Sequence, residues 1–173
     1  MDATPTVRKL ERHEWALYRQ LRLAALEESP DAFGSTLAAE QGRTSDDWAA
    51  RLAEGDGSGS SLPLIAEVQT EPAGLAWARV DTSDPTLVNV YQMWVAPEFR
   101  GCGAGRLLLR AAVAWARARS ARAVQLGVTL GDTPAMHLYA SEGFKPVGPI
   151  GILRPGSHLR GQTLQVLLSE RAA

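Results

Sequence analysis

The stretch from Pro97 to Leu109 reads PEFRGCGAGRLLL and places three glycines, Gly101, Gly103 and Gly105, within five residues. An apolar run, LVNVYQMWV (87–95), precedes it, and a Leu-rich helical pattern follows at once. A strand that turns through glycine into a helix aims unpaired backbone N–H groups and the positive end of the helix dipole at one point. Glycine lets successive amides converge because no side chain stands between them. Arg100 and Arg106 flank the turn, where guanidinium groups can add charge-assisted bonds to phosphate oxygens. The chemistry these residues suit is therefore the binding of an anion such as a phosphate. Two familiar phosphate loops do not fit. A Walker A loop needs a lysine that is absent here, and a dinucleotide GxGxxG needs glycine where Arg106 stands. Cys102 shares the turn, where a helix N-terminus lowers a thiol's pKa. No histidine stands beside it in sequence, so it reads as a turn position rather than a nucleophile.

A cradle of this kind needs elements to position it. TVRKL (6–10) reads as a first strand. Residues 11–29 carry Trp15, Tyr18, Leu21 and Ala25, with Leu17 and Ala24, at helical spacing, which predicts an amphipathic helix ending before Pro30. PDAFGST (30–36) is loop-like. SDDWAARLAE (45–54) predicts a second helix with Ser45 as N-cap and Asp46 and Asp47 in its first turn. GDGSGSS (55–61) reads as a surface loop too short to divide domains.

LPLIAEV (62–68), GLAWARV (74–80) and TLVNVYQMWV (86–95) then read as strands separated by EPA and DTSDP turns, an antiparallel meander. After the glycine turn come a helix to about Arg119, a strand AVQLGVT (123–129), a short helix TPAMHLYASE (133–142), and strands near FKPVG (144–148) and TLQVLLS (163–169). In the long helix, Leu107, Leu108, Ala111, Trp115 and Ala118 form the predicted buried stripe, with Arg106, Arg110 and Arg117 on the wet side.

Composition excludes several function classes. A chain of 173 residues, 45% hydrophobic and 21% charged, suits one domain over residues 1–173 with a real core. A formal net charge of −1 offers no basic field for nucleic acid. Cys102 is the single cysteine, so neither an intramolecular disulfide nor a Cys-based metal site can form. His13, His137 and His158 are too scattered for a metal motif, and His137 reads as a helix-surface residue. The first residues lack an apolar run of signal-peptide length, and no stretch approaches membrane-spanning length. The expectation is a cytoplasmic protein with no metal, nucleic-acid or membrane partner.

VAPEFRGCGAGRLLL (95–109) resembles the acetyl-CoA signature of the GNAT N-acetyltransferases, [QR]-x-x-G-x-[GA], with Arg100, Gly103 and Gly105 filling it. TPAMHLYASEGFKPVG (133–148) resembles that family's later block, a helix carrying A-x-x-L-Y before a G-F turn, through Ala135, Leu138, Tyr139, Gly143 and Phe144. The resemblance implies an α/β GNAT fold, a mixed, mostly antiparallel central sheet of about seven strands flanked by about four helices. It implies acetyl transfer from acetyl-CoA, as co-substrate, to a primary amine by direct attack. The pyrophosphate is then expected on the backbone of Gly101, Cys102, Gly103, Ala104, Gly105 and Arg106, with Arg100 beside it. The pantetheine arm is expected along Met93, Trp94 and Val95, where a backbone N–H near Met93 or Trp94 polarises the thioester carbonyl. Asp132 and Ala135 complete the expected cofactor contacts, and Tyr139 is the expected general acid for the departing thiolate.

The match departs from the family in two places. The strand before the glycine turn offers Asn89, Tyr91 and Gln92 but no carboxylate, so the base comes from elsewhere, such as Glu67, or from a water chain. Asp132 stands where the family often has asparagine, and an ionised carboxylate cannot donate to the pantetheine. By the resemblance, acceptor selectivity belongs to SPDAFGST (29–36) and PIGILRPGSHLRGQ (149–162), with Phe33 and Tyr91 as the candidate substrate contacts and Ser35 and His158 nearby in sequence. Glu27, Glu28 and Asp31 read as a solvated acidic cluster. A small-molecule amine is the favoured acceptor. The alternatives are acetylation of a protein or peptide N-terminus and a CoA-sensing module without turnover. A homodimer accords with the family's habits.

Overall fold

The computed structural model describes residues 4–57 and 59–168. Among them seven strands form one mixed sheet: β1 (Pro5–Lys9), β2 (Ser61–Val68), β3 (Glu71–Val80), β4 (Leu87–Val95), β5 (Ala123–Thr129), β6 (Lys145–Ile152) and β7 (Arg160–Leu167). Their order is β1-β2-β3-β4-β5-β7-β6. Only the β4–β5 pairing is parallel; β2, β3 and β4 form the expected antiparallel meander, joined at its edge by β1. The helices are α1 (Trp15–Glu28), α2 (Leu37–Gln41), α3 (Ser45–Gly57), α4 (Ala104–Ala118) and α5 (Pro134–Ser141).

Each sheet face has its own core. On one face, Leu10, Tyr18, Leu26, Trp48, Leu52, Ile65, Leu75, Trp77 and Trp94 join α1 and α3 to the meander. On the other, Leu64, Ala76, Val88, Val90, Leu108, Leu109, Leu126, Tyr139 and Phe144 join α4 and α5 to the sheet. Alternate residues of β2 to β4 feed opposite cores, as the two-residue period of a strand requires.

Several boundaries differ from those read in the sequence. Thr44, not Ser45, caps α3: its Oγ1 accepts from Asp47 N at 3.2 Å, and Asp47 Oδ2 accepts from Thr44 N at 2.9 Å. This reciprocal pair satisfies two otherwise orphaned donors. Glu71, Pro72 and Ala73 belong to β3. The hairpin turns instead at Gln69 and Thr70, with φ of 52° and 70°, the left-handed pair whose twist matches paired strands. The short helix α2 had no counterpart in the sequence reading, and Thr36 caps it through Ala39 N at 3.3 Å. In α4 the buried stripe is Ala104, Leu108, Leu109, Ala112 and Ala116, while Leu107 is 37% exposed and Ala118 is exposed. The stripe is thus rotated by about one residue, because packing against both sheet and α5 selects the Leu108–Ala112–Ala116 row.

The feature that positions the site is a parting of strands. β4 and β5 pair only from Leu87 to Val90 against Ala123 to Leu126. Beyond Val90, β4 has an irregularity opposite β3, with Gln92 at φ 58°, and the β4–β5 ladder does not resume. Tyr91 to Val95 therefore keep an unpaired backbone edge toward β5. Beside the bulge the backbones of β3 and β4 run close: a Cβ on Gly74 would lie 2.5 Å from Trp94 O.

Candidate active site

The glycine turn leaves β4 through Pro97–Phe99, a single 3-10 turn, and enters α4 at Gly103. Gly101 and Gly103 hold φ of 82° and 93°, the left-handed region that glycine occupies without strain. Arg100 N still bonds to Pro97 O, and the helix ladder begins with Leu107 N to Gly103 O at 3.0 Å. Between them, the six amides of Gly101 to Arg106 have no acceptor among the described residues. Gly105 serves packing instead: a Cβ there would lie 3.4 Å from Leu138 Cδ2 and 3.6 Å from Val95 Cγ2.

Both arginines of the turn are held by carboxylates. Arg100 donates from Nη2 to Glu28 Oε2 at 2.7 Å and from Nε to Val95 O at 2.9 Å. Glu28 also accepts from Trp94 Nε1 at 3.0 Å and from the Ser29 hydroxyl. Its carboxyl is pulled down to about 2, chiefly by Arg100. Glu28 is thus part of a specific cluster rather than a member of a loose acidic loop. Arg106 and Arg110 share Glu142, which tethers α4 to the end of α5. Cys102 Sγ sits 2.9 Å from Phe99 O within the turn and is exposed.

Behind the turn, a cavity of about 770 Å³ opens at the split. Tyr91, Gln92 and Met93 of β4 face Leu126, Gly127 and Val128 of β5 across it, and Tyr139 of α5 closes one side. Tyr139 is 5% exposed, its ring lies 6.1 Å from that of Phe144, and its hydroxyl has no partner among the described residues. Burial pushes its pKa up to about 12, so at neutral pH it is a proton-bearing donor. Phe33 lines the same cavity.

Of the expected site residues, Tyr139, Met93, Tyr91 and Phe33 thus share one cavity. Arg100 to Arg106 stand outside its lining, in the turn that follows β4. Trp94 turns its indole toward Glu28 and its backbone pairs with Leu75 of β3, so it stays outside the cavity lining, and Val95 packs toward α4. Asp132 and Ala135 are exposed around the start of α5, where Asp132 pairs with His137 at 2.5 Å. Glu67 lies elsewhere: Arg8 holds it at 3.1 Å in the β1–β2 edge, and it does not line the cavity.

The two segments read as acceptor-shaping do meet. Arg154 donates to Phe33 O at 2.7 Å and to Pro30 O at 3.3 Å, and Thr129 Oγ1 donates to Asp31 O at 2.6 Å. His158 stays outside the lining. The sequence reading missed Tyr18, Arg22 and Trp77, which form the cavity wall on the α1 face. Tyr18 donates its hydroxyl to Gln92 Oε1 at 2.9 Å and so braces the bulge. The available signal was Arg22 itself, a charge one turn after Tyr18 on an otherwise apolar stripe. Among the described residues no group of His, Cys, Asp and Glu is placed to hold a metal ion, and no helix is long and apolar enough to cross a membrane.

A family model described as the acetyltransferase (GNAT) family matches residues 14–144. A mycothiol acetyltransferase from Arthrobacter sp. (strain FB24) is 32% identical over 109 residues, 61% of this chain and 34% of that protein. Streptothricin acetyltransferase of Streptomyces lavendulae is 33% identical over 110 residues, 64% of this chain and 58% of that one. The chain therefore spans about a third of the first relative's length and just over half of the second's. Two solved structures share the fold. A GNAT-family acetyltransferase from Streptococcus pneumoniae has a TM-score of 0.78 at 23% identity, covering 95% of this chain and 99% of that one. YncA of Salmonella typhimurium, solved with its cofactor acetyl-CoA, has 0.77 at 21%, covering 98% of this chain and 97% of that one.

Proposed function

From the premise that this chain belongs to the acetyltransferase (GNAT) family, we propose that it transfers an acetyl group from acetyl-CoA to the primary amine of a small molecule. The observation that carries this reading is the run of six unpartnered amides, Gly101 to Arg106, directly following the open edge of β4. Amides converging at a helix N-terminus suit a pyrophosphate, and an unpaired strand edge suits an extended amide-bearing arm.

When bound, acetyl-CoA supplies the acetyl group that the amine attacks directly. The chain's own contributions follow from their positions. Gly101, Cys102, Gly103, Ala104, Gly105 and Arg106 hold phosphate oxygens through their backbone. The Arg100 guanidinium, displaced from Glu28, adds charge to the same site. The Met93 amide, rather than that of Trp94, which faces β3, donates to the thioester oxygen, where negative charge develops. Tyr139, kept protonated by burial, donates toward the departing sulfur. With a pKa near 12 it is a weaker acid than a thiol of about 8.5, so its role is to hold the thiolate by a hydrogen bond while the amine's proton is passed on. Phe33 and Tyr91 bound the acceptor's space.

The carboxylates that line the cavity are Glu40 and Glu54. Burial opposes ionisation of Glu40, yet its bonds with Arg51 and Arg43 outweigh that and hold its pKa low, which makes it a poor base. Deprotonation of the amine through cavity water to solvent accords better with this lining.

Calorimetric titration with acetyl-CoA, with AMP as the control ligand, tests the reading. Micromolar, stoichiometric binding that is lost when Gly103 carries a bulky side chain supports it. Thiol release with a panel of amines then identifies the acceptor. No binding of acetyl-CoA overturns it.

A further inference from the structure

Four buried side-chain nitrogens lack any hydrogen-bond partner among the described residues: Nε and Nη1 of Arg22, and Nε1 of Trp48 and of Trp77. All four are donors; no orphaned acceptor accompanies them. Buried polar groups are normally paired, and a buried cation without a counter-charge is costly. Arg22 and Trp77 line the cavity described above, whereas Trp48 does not, and an unmet buried guanidinium in a cavity wall suits an oxyanion.

Arg22 is 3% exposed, with its guanidinium 4.6 Å from the centre of the Phe33 ring. No carboxylate among the described residues pairs with it. The adjacent acid, Glu40, is committed to Arg51 at 2.8 Å and Arg43 at 3.1 Å. Trp77 stacks edge-on against Tyr18, with ring centres 5.2 Å apart, and Tyr18 stands one turn before Arg22 on α1. Arg22 and Trp77 both line the cavity that holds Tyr139. They do so from the opposite sheet face: Trp77 and its neighbours pack with α1, whereas Tyr139 packs with α4. The cavity joins the two faces through the split between β4 and β5. With the amide cradle at the head of α4, the Arg22 side is left for the acceptor.

We propose that the acceptor carries a carboxylate as well as its amine, and that the carboxylate seats on Arg22 with the Trp77 indole N–H beside it. The amine then extends through the split toward Tyr139. Arg22 is a specificity-determining residue that touches the acceptor away from the reacting atoms. This rests on the acetyl-transfer reading above and narrows its substrate class to amino acids and related amino carboxylates.

The test offers ω-amino acids of graded length, glycine through aminohexanoate, alongside their primary amides, with acetyl-CoA and thiol-release detection. The best acid is expected to exceed its amide in kcat/KM by about tenfold or more, chiefly through KM. Arg22→Met is expected to collapse that ratio toward one while Tm stays level or rises, because an unpaired buried charge has been removed. Arg22→Lys is expected to retain part of the preference. Equal use of acids and amides by the natural protein overturns the proposal. So does an Arg22→Met variant that keeps the preference, or one that merely melts lower and slows both classes alike.

Melting with aminohexanoate or its amide, without cofactor, reads the anion site independently of catalysis. A rise in Tm with the acid alone, absent in Arg22→Met, supports the proposal, and equal or absent shifts overturn it. Calorimetric binding of acetyl-CoA to the same samples separates a failed anion site from a failed cofactor cradle.

Discussion

Arg100 reaches from the glycine turn to Glu28 at the end of α1, with Nη2 2.7 Å from Oε2, while its Nε holds Val95 O at 2.9 Å. One guanidinium thereby ties together the end of β4, the approach to the turn and the last turn of the first helix. The pair is well exposed, so it contributes modestly to stability, about 1 kcal/mol or less. Its direction is nonetheless readable in acid.

Because Arg100 holds the Glu28 carboxyl at about 2, below its ordinary 4.5, the folded state binds that proton less readily than the unfolded chain does. The stabilisation is complete above the ordinary value and disappears as pH falls from there through about 2. Glu28→Gln is expected to shallow the loss of Tm across that window, as measured by melting at stepped pH. Glu14, held at about 2 chiefly by Arg8, and Asp84, held at about 2 by Thr86 and Arg122, are among the carboxylates that keep the variant acid-sensitive. Identical slopes would count against the Arg100–Glu28 pair.

Tyr139→Phe keeps the ring against Phe144 and removes only the hydroxyl. Turnover is expected to fall about a hundredfold, with acetyl-CoA affinity changed by less than about twofold. Comparing kcat with the calorimetric Kd checks this. Unaltered kcat would leave Tyr139 as a packing residue.

Two glycines should fail in different ways. At Gly103 a side chain meets nothing within 4 Å, but φ of 93° strains it by about 1–2 kcal/mol, and it stands among the free amides. Gly103→Ala is expected to fold with a slightly lower Tm and bind acetyl-CoA about tenfold more weakly. At Gly74 a Cβ collides with Trp94 O, so Gly74→Ala is expected to lose about 3 kcal/mol or more, or not to fold. Urea unfolding and calorimetry on the two variants distinguish the roles.

Adjacent leucines in α4 test the rotation of its stripe. Leu108 is fully buried and Leu107 is 37% exposed. Leu108→Ala is expected to cost about 2–5 kcal/mol in urea unfolding. Leu107→Ala is expected to stay within about 0.5 kcal/mol of the parent. Similar losses at both positions would mean that the helix packs in the register read from sequence alone.

The contrast between those leucines illustrates what a sequence conveys. Local signals survive folding: the glycine turn, the helix over TPAMHLYASE and the three apolar runs of β2 to β4 are dictated by neighbours in the chain, and their elements form there, although β3 begins three residues earlier. The exact rotation of α4 is set by two partners, a sheet and α5, that no window of α4 contains. The turn at Gln69–Thr70 carries no glycine or asparagine to announce it, so Glu71 and Pro72 looked like the turn instead. The parting of β4 from β5 has no local signature at all, since it arises where a bulge at Gln92 meets a bond from Tyr18, 74 positions away. Arg22 was legible as an oddity on an apolar stripe, but its lack of a counter-charge becomes visible only once Glu40 has been taken by other arginines.

The short seam between β4 and β5 has a mechanical consequence. Only four residue pairs stitch the β1–β4 half of the sheet to the β5–β7 half, whereas the neighbouring β3–β4 and β5–β7 ladders have six and seven. The sheet is therefore two stiff plates joined by a narrow flexure, compliant at the end where the strands diverge. Load or thermal motion concentrates at Val90 and Leu126, the last rung, and amides there should exchange with solvent sooner than those deep in either plate. An extended molecule lying in the notch would act as a splint, stiffening the flexure and raising the melting temperature with its concentration.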